Sequence, residues 1–428
     1  MLRSVYTALL YVFAPIALAG TALRGVRDPA YRERLPERLG FTRVFQGSDA
    51  RPIWLHAVSV GEVQAAAPLV RVLLKKYPQR PLLITTATPT GAQRVRALFS
   101  DSVRHAYLPY DLPGAVRRFL DRVRPAIAIV MEREIWPNLF SECRQRAIPV
   151  LLASARISER SAVRHRKFAS LFGEALASNV KVAAQTEQDA ERYRSIGARD
   201  VEVTGNVKFD IEAPVAAKQT GAALRAAQFP DRLVWVAGST HEGEEDQVLA
   251  AHRLVIQQRP DALLILVPRH PNRFDAVRSW LKTQQVTFVS RSRGEQVTSA
   301  TSVLLADTLG ELMMFYAAAD IAFVGGSLIA TVGGHNLLEP AVLERPVLVG
   351  PHNFNAPDIA QLMFESGAAR QVNSPEQLAQ SILELAADQA LRARMGMQGS
   401  EMVAANRGAL DRVVALVAVR LQASSNTA

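Results

Sequence analysis

The chain has 428 residues, 49% of them apolar, which is too long for one ordinary domain and suits two of about 200 residues each. Lysine and arginine number 50 against 40 aspartates and glutamates, a net +10 that points to an anionic partner: nucleic acid, a phosphorylated substrate or an acidic membrane. The single cysteine, Cys143, excludes an internal disulfide and fits a reducing compartment, and no Cys/His cluster has zinc spacing.

The first stretch departs from this soluble composition. Residues 4–23 carry no charge between Arg3 and Arg24, enough helix to cross a bilayer core of ~30 Å. Pro15 and the interrupting Ser, Thr and Gly leave a shallow or monotopic insertion open. Ala17-Leu18-Ala19 imitates a signal cleavage site, but the arginines that follow disfavour export. Those arginines, Arg24, Arg27, Arg32, Arg34 and Arg38, place the body in the cytoplasm by the positive-inside rule. Residues 1–25 are therefore expected to anchor the protein to the membrane.

Apolar runs recur at Ile53–Val58, Pro81–Thr85, Val103–Leu108, Ala126–Met131, Val150–Ala153, Val182–Gln185 and Val201–Thr204, mostly separated by helical patterns. This alternation predicts an α/β domain with a mostly parallel sheet. In such sheets ligands gather beyond the carboxyl ends of the strands. The polar residues directly after each strand are thus the candidates.

After the first strand come His56, Ser59, Gly61 and Glu62. Ser59 and Glu62 match a capping box, which alone could explain both, whereas Gly61 in the first turn leaves room for a ligand. For His56 by itself, a satisfied core histidine is the favoured reading. The second strand feeds a hydroxyl-rich loop, Thr85–Gly91, suited to sugar contacts or to plain capping. The fourth ends in Met131-Glu132-Arg133-Glu134-Ile135-Trp136-Pro137-Asn138, a dense polar cluster. Arg156, Arg160, Arg164, Arg166 and Lys167 form a basic stretch with helical phasing, read as a solvated face or a contact with anionic lipid. Thr204–Asp210, with Lys208, closes the first domain, and Glu212–Thr220 is the linker candidate.

The second half repeats the alternation at Leu233–Ala237, Leu263–Val267, Thr287–Ser290, Val303–Ala306, Ile321–Val324 and Pro346–Gly350. His241, Glu242, Glu244 and Glu245 are too crowded for a metal and read as helix capping and dipole fit. Two prolines flank Arg269, which suits a fixed guanidinium for a phosphate. Thr308 and Glu311 match another capping box. The glycine-rich stretch 325–334 precedes Asn336 and Glu339. Its glycines, with a following helix N-terminus, suit a phosphorylated ligand, and Glu339 a ribose; a capping box stands as the alternative.

Taken together, SVGE at Ser59–Glu62, MEREIWPN at Met131–Asn138, TGNVKFD at Thr204–Asp210 and STHEGEE at Ser239–Glu245 resemble one family. PRHPNRF at Pro268–Phe274, DTLGEL at Asp307–Leu312 and GGHNLLEPA at Gly333–Ala341 match it too. The chain resembles the Kdo (3-deoxy-D-manno-octulosonic acid) transferases of lipopolysaccharide assembly over essentially its whole length; the departure is GPHNFNAPDIA at Gly350–Ala360. The resemblance implies a GT-B fold: two Rossmann-like domains facing a cleft, at 26–212 (acceptor) and 213–428 (donor), after the anchor helix. It implies an inverting, metal-independent transfer from CMP-Kdo to the lipid A precursor at the cytoplasmic side of the inner membrane, with no cofactor. It makes Glu62 the general base, with Glu132 and Lys208 stabilising the transition state. Pro268, Arg269, Leu309, Gly310, Glu311, Asn336, Leu337, Leu338 and Glu339 would hold CMP. The competing readings are a UDP-sugar enzyme of the same fold and a non-catalytic membrane scaffold. Nucleic acid ranks last, because only net charge supports it.

Overall fold

The computed structural model describes residues 2–27, 29–43, 51–177 and 179–425. The side chains of Arg27, Ser424 and Ser425 lie outside the described residues. Two compact units divide the chain: Met1–Asp210 with Asn406–Ala428, and Ile211–Ala405.

The first unit is built on a parallel seven-stranded sheet in the order β3-β2-β1-β4-β5-β6-β7. The strands are β1 (Ile53–His56), β2 (Leu82–Thr86), β3 (Arg104–Tyr107), β4 (Ile127–Met131), β5 (Val150–Ala155), β6 (Val180–Ala184) and β7 (Asp200–Val203). Central strands such as β4, Ile-Ala-Ile-Val-Met, are buried at every position because helices cover both faces, which is why they read as continuous apolar runs. The covering helices show the complementary pattern. In Pro113–Val123, Ala115, Val116, Phe119, Leu120 and Val123 form the buried stripe and Pro113 starts the helix, where its missing N–H costs nothing. Phe119 meets Trp54 of β1 edge-to-face at 4.9 Å.

The second unit carries β8 (Val234–Thr240), β9 (Leu263–Pro268), β10 (Phe288–Ser290), β11 (Val303–Leu305), β12 (Ile321–Val324), β13 (Val347–Val349) and β14 (Ala369–Gln371). They form a parallel sheet in the order β10-β11-β9-β8-β12-β13-β14. Every expected strand forms, with small shifts at the ends. Only β14, a three-residue edge strand, had no apolar run to announce it.

Two boundaries differ from expectation. The helix Val215–Gln228 starts inside the expected linker, because its alanines favour helix once Pro214 has passed. The C-terminal segment also returns to the first unit rather than ending the second. Ala409, Val413, Val417 and Leu421 of the helix Ala409–Ser425 join the core under β1, β4 and β5. Asp210 fixes the start of that helix, its carboxylate accepting the N–H groups of Gly408 and Leu410 at 2.6 Å each. An amphipathic stripe shows that a helix is buried but not which core takes it.

Candidate active site

In the first unit the strand order reverses between β1 and β4, the place where an open parallel sheet leaves a crevice at its carboxyl edge. Glu62 follows β1 and Glu132 follows β4. Glu62 lies in the first turn of the helix Val60–Lys76. The expected capping box is not formed: Ser59 makes no side-chain cap, and Glu62 Oε2 accepts the N–H of Val58, one residue earlier, at 2.6 Å. Its Oε1 takes no hydrogen bond among the described residues. Burial pushes the Glu62 carboxyl up to about 7, with the Glu132 and Glu134 charges adding to the shift against the Val58 N–H. A Cβ on exposed Gly61 would meet nothing, so the space beside Glu62 is open.

Glu132 stands just past β4 with a φ of 55°, a left-handed conformation that a non-glycine residue holds only where its surroundings impose it. Its carboxylate is buried and pairs with Lys208 and Arg156, each at 2.9 Å. Burial alone would raise its pKa. The Lys208 and Arg156 charges and hydrogen bonds outweigh that and hold it below the ordinary carboxylate range. Lys208 is placed by a relay: Gln185 donates to the Ser154 carbonyl at 2.9 Å, Asn206 donates to Gln185 at 3.0 Å, and the Lys208 N–H donates to Asn206 at 3.0 Å. Arg156, read from sequence as part of a solvated basic face, instead belongs to this cluster. It directly follows β5, the position that marks ligand-edge residues, and only its helical phasing with the later arginines obscured this. His56 is a buried core histidine, as favoured: Nδ1 donates to the Thr85 carbonyl at 3.0 Å, and burial lowers its pKa to about 4.

In the second unit the corresponding reversal lies between β8 and β12. Here the glycine-rich loop differs from its expected role. The N–H groups of Gly326, Ser327 and Leu328, at 2.6, 3.1 and 3.0 Å, are taken by the buried carboxylate of Glu244. Glu244 thus occupies from within the cradle that a phosphate was expected to fill. Of the expected capping and dipole fit only the second is seen: Glu244 and Glu245 lie in the first turn of the helix Glu244–Gln258, but that helix is entered through left-handed Gly243, with no side-chain cap. Glu245 is drawn off to Arg273, at 2.6 Å.

Of the expected nucleotide residues, Pro268 ends β9 and Arg269 follows it, exposed and without an ion pair among the described residues. Arg269 lies close enough to act on Glu339 and His335. Burial raises the Glu339 carboxyl, while its Oε1 accepts from Asn336 Nδ2 at 3.2 Å. Asn336 also accepts the Leu338 N–H at 3.1 Å. The helix expected here is a single turn, Leu338–Ala341, and Leu337 and Leu338 are buried, so only their backbone can face a ligand. Leu309, Gly310 and Glu311 lie beyond β11 on the same sheet edge. Leu309 is exposed, Gly310 adopts a φ of 82°, and Glu311 pairs with Arg291 at 2.8 Å. The Thr308–Glu311 capping box is absent; the hydroxyl bonds the carboxylate, and the helix starts later, at Leu312. A cavity of about 790 Å³ is lined here by Phe274, Arg291, Asp307, Thr308, Leu309 and Glu311.

The sequence marks His241 only as part of a capping cluster and does not join it to the other histidines at this edge. His241 and His335 stack with planes 9° apart, their Nε2 atoms 2.7 Å from one another, and His270 meets His241 edge-on at 5.1 Å. Burial, helped by their mutual proximity and Arg269, lowers His241 to about 4 and His335 to about 3, so this pair is neutral near pH 7. They come from three separate strand exits, so no local pattern joined them.

Two Rossmann-like units, each with polar residues gathered at the carboxyl edge of its parallel sheet, define a GT-B-like fold. A glycosyltransferase from Rickettsia africae shares the fold at 13% identity, covering 87% of this chain and 99% of its own with a TM-score of 0.57. The family described as 3-deoxy-D-manno-octulosonic-acid transferase (kdotransferase) matches residues 33–211. The 3-deoxy-D-manno-octulosonic acid transferase of Haemophilus influenzae is 42% identical over 97% of this chain and 98% of its own length. That of Bordetella pertussis is 38% identical over 96% and 98%. The chain belongs to the Kdo transferase family, glycosyltransferases of lipopolysaccharide biosynthesis.

Proposed function

We propose that this chain transfers Kdo from CMP-Kdo to a hydroxyl of the lipid A precursor at the inner membrane, inverting the anomeric carbon without a metal. The observation that carries the reading is Glu62. It is a half-buried carboxylate with one oxygen held by the Val58 N–H, the other unbonded among the described residues, and a pKa of about 7. A base of that strength is half ionised at neutral pH and accepts a hydroxyl proton with little mismatch. The acceptor oxygen attacks the ketosidic carbon as the bond to CMP breaks, and the proton passes to Glu62. Negative charge develops on the departing phosphate. Within the first unit, Glu132, paired with Lys208 and Arg156, is assigned together with Lys208 to stabilising the transition state. Within the second unit, Arg269, exposed and without an ion pair among the described residues, is assigned to the CMP phosphate, and Glu339 to the ribose. Because the leaving group has one phosphate, cationic side chains can do what a divalent ion does for diphosphate donors.

The test is mass spectrometry of product formed by purified enzyme, CMP-Kdo generated in situ and lipid A precursor, with and without EDTA. Product mass higher by Kdo, unaffected by EDTA, is expected. A thermal shift with UDP but not CMP would overturn the donor assignment.

A further inference from the structure

The helix Leu2–Arg27 is long and apolar enough to cross a membrane by length and composition. Yet it lies lengthwise on the first unit. Tyr6, Leu10, Ala14, Leu18 and Thr21, spaced three or four apart, are half-buried, and Gly25 further along the same face is buried. Near its start, Arg3 pairs with Glu174 at 3.0 Å and hydrogen-bonds Ser141. The Tyr6 hydroxyl donates to Asp111 and the Thr7 hydroxyl to Asn138, both at 3.0 Å. Near its end, Thr21 Oγ1 and the Tyr110 hydroxyl are 3.1 Å apart, and Gly25 is buried against Arg32. Asp111 also accepts the N–H groups of Asn138 and Leu139, at 3.0 and 2.7 Å, so the Tyr6 hydroxyl is a third donor to a buried carboxylate of the first unit.

From Tyr6 to Thr21 the helix covers about 22 Å at 1.5 Å per residue. A helix tied to the body at both ends of that span cannot also cross a bilayer. Crossing would either break these bonds or carry Asp111, Asn138 and Glu174 into hydrocarbon. The face opposite the shielded one is apolar and open: Val5, Leu9, Val12, Phe13, Ile16 and Leu23 are between 52% and 69% exposed. The helix also packs on Ala169–Ala175. Just before that element lie exposed Val163 and Phe168, among Arg160, Arg164 and Lys167, which make no ion pair among the described residues.

We infer that the N-terminal helix lies in the plane of an anionic leaflet, one face on the first unit and the other among acyl chains, and does not span the membrane. The inference rests on the membrane location proposed above. The basic residues beside Phe168 match the lipid phosphates in charge, and the apolar face matches the acyl chains at the depth of an interfacial helix.

Single cysteines in the full chain test it. Cys143 is buried, with its thiol pushed up to about 12, and stays silent towards maleimides. Ser4→Cys, Arg24→Cys and Lys167→Cys are expressed, and membranes are probed with an impermeant maleimide as spheroplasts and as inverted vesicles. All three are expected to label in the same orientation. Ser4→Cys labelling in the orientation opposite to Lys167→Cys would show a spanning helix and overturn the inference alone. Recovery of the chain in the soluble fraction would overturn the membrane location too. A Val12→Trp variant provides a second reading: its added fluorescence is expected to be quenched most by lipids brominated near the headgroup. Strongest quenching by lipids brominated at the chain end, or burial of the introduced indole in a dimer insensitive to lipid, would also refute the in-plane helix.

Discussion

Lys208 and Glu132 lie 76 residues apart in the chain and 2.9 Å apart in the structure. Their ion pair ties the loop beyond the edge strand β7 to the end of β4 near the middle of the sheet. With Arg156 on its other oxygen, Glu132 is an acid that positions two cations. Glu132→Gln and Lys208→Ala should therefore act as one unit. Each should cost ~10²-fold or more in kcat, and the double variant about as much as the worse single. Turnover of the four proteins checks this; losses that multiply would show that the two residues act independently.

Glu132 is held below the ordinary carboxylate range, so its contribution to stability is complete above that range and is lost as pH falls through the depressed value. Acid unfolding followed by circular dichroism should move to higher pH in Lys208→Ala, because that variant gives up part of the depression. An unchanged acid midpoint would remove the Lys208 charge as a cause.

Glu62 makes the opposite forecast. A carboxyl raised to about 7 binds more protons folded than unfolded, so the folded state loses stability as pH rises from the ordinary carboxylate value through 7. Glu62→Gln should therefore melt no lower than wild type at pH 8 while losing ~10²–10⁴-fold in turnover. Wild-type kcat/KM should rise with pH and level off above about 7. Since Ser59 makes no cap, Ser59→Ala should change stability little. Near wild-type turnover in Glu62→Gln would exclude Glu62 as the base.

For the nucleotide, Arg269→Ala should weaken CMP binding by ~1.5–3 kcal/mol, the scale of a charge-assisted hydrogen bond. Glu339→Ala should weaken it as well if the carboxylate meets the ribose. Calorimetric titration with CMP decides, and unaltered affinity in both variants would defeat the assignment.

Glu244 is predicted to matter for folding rather than for binding. Glu244→Ala removes the acceptor for the N–H groups of Gly326, Ser327 and Leu328. Stranding even one of them buried should cost about 1–3 kcal/mol in denaturant unfolding. Glu244→Gln, which keeps one acceptor oxygen, should cost less. Equal stability of all three proteins would refute the role.

The alternation of apolar runs and helical stripes was legible in the sequence because sheets covered on both faces need strands without polar interruption, as in β4 and β9. The ligand-edge candidates Glu62, Glu132 and Arg269 followed, since position directly after a strand is a local property of the chain. What only the tertiary structure decided depended on groups brought together from afar. Glu244 filling the glycine loop, Arg156 joining Lys208 on Glu132, and the His241–His335 stack are each made by side chains from different strand exits. The same holds for the two terminal helices. Periodicity shows that a helix has an apolar face, but only packing determines which body covers it. The helix Ala409–Ser425 is buried in the first unit because Asp210 holds its start there. Leu2–Arg27 lies along that unit because Asp111, Asn138 and Tyr110 meet its few polar side chains, partners that its own sequence does not contain.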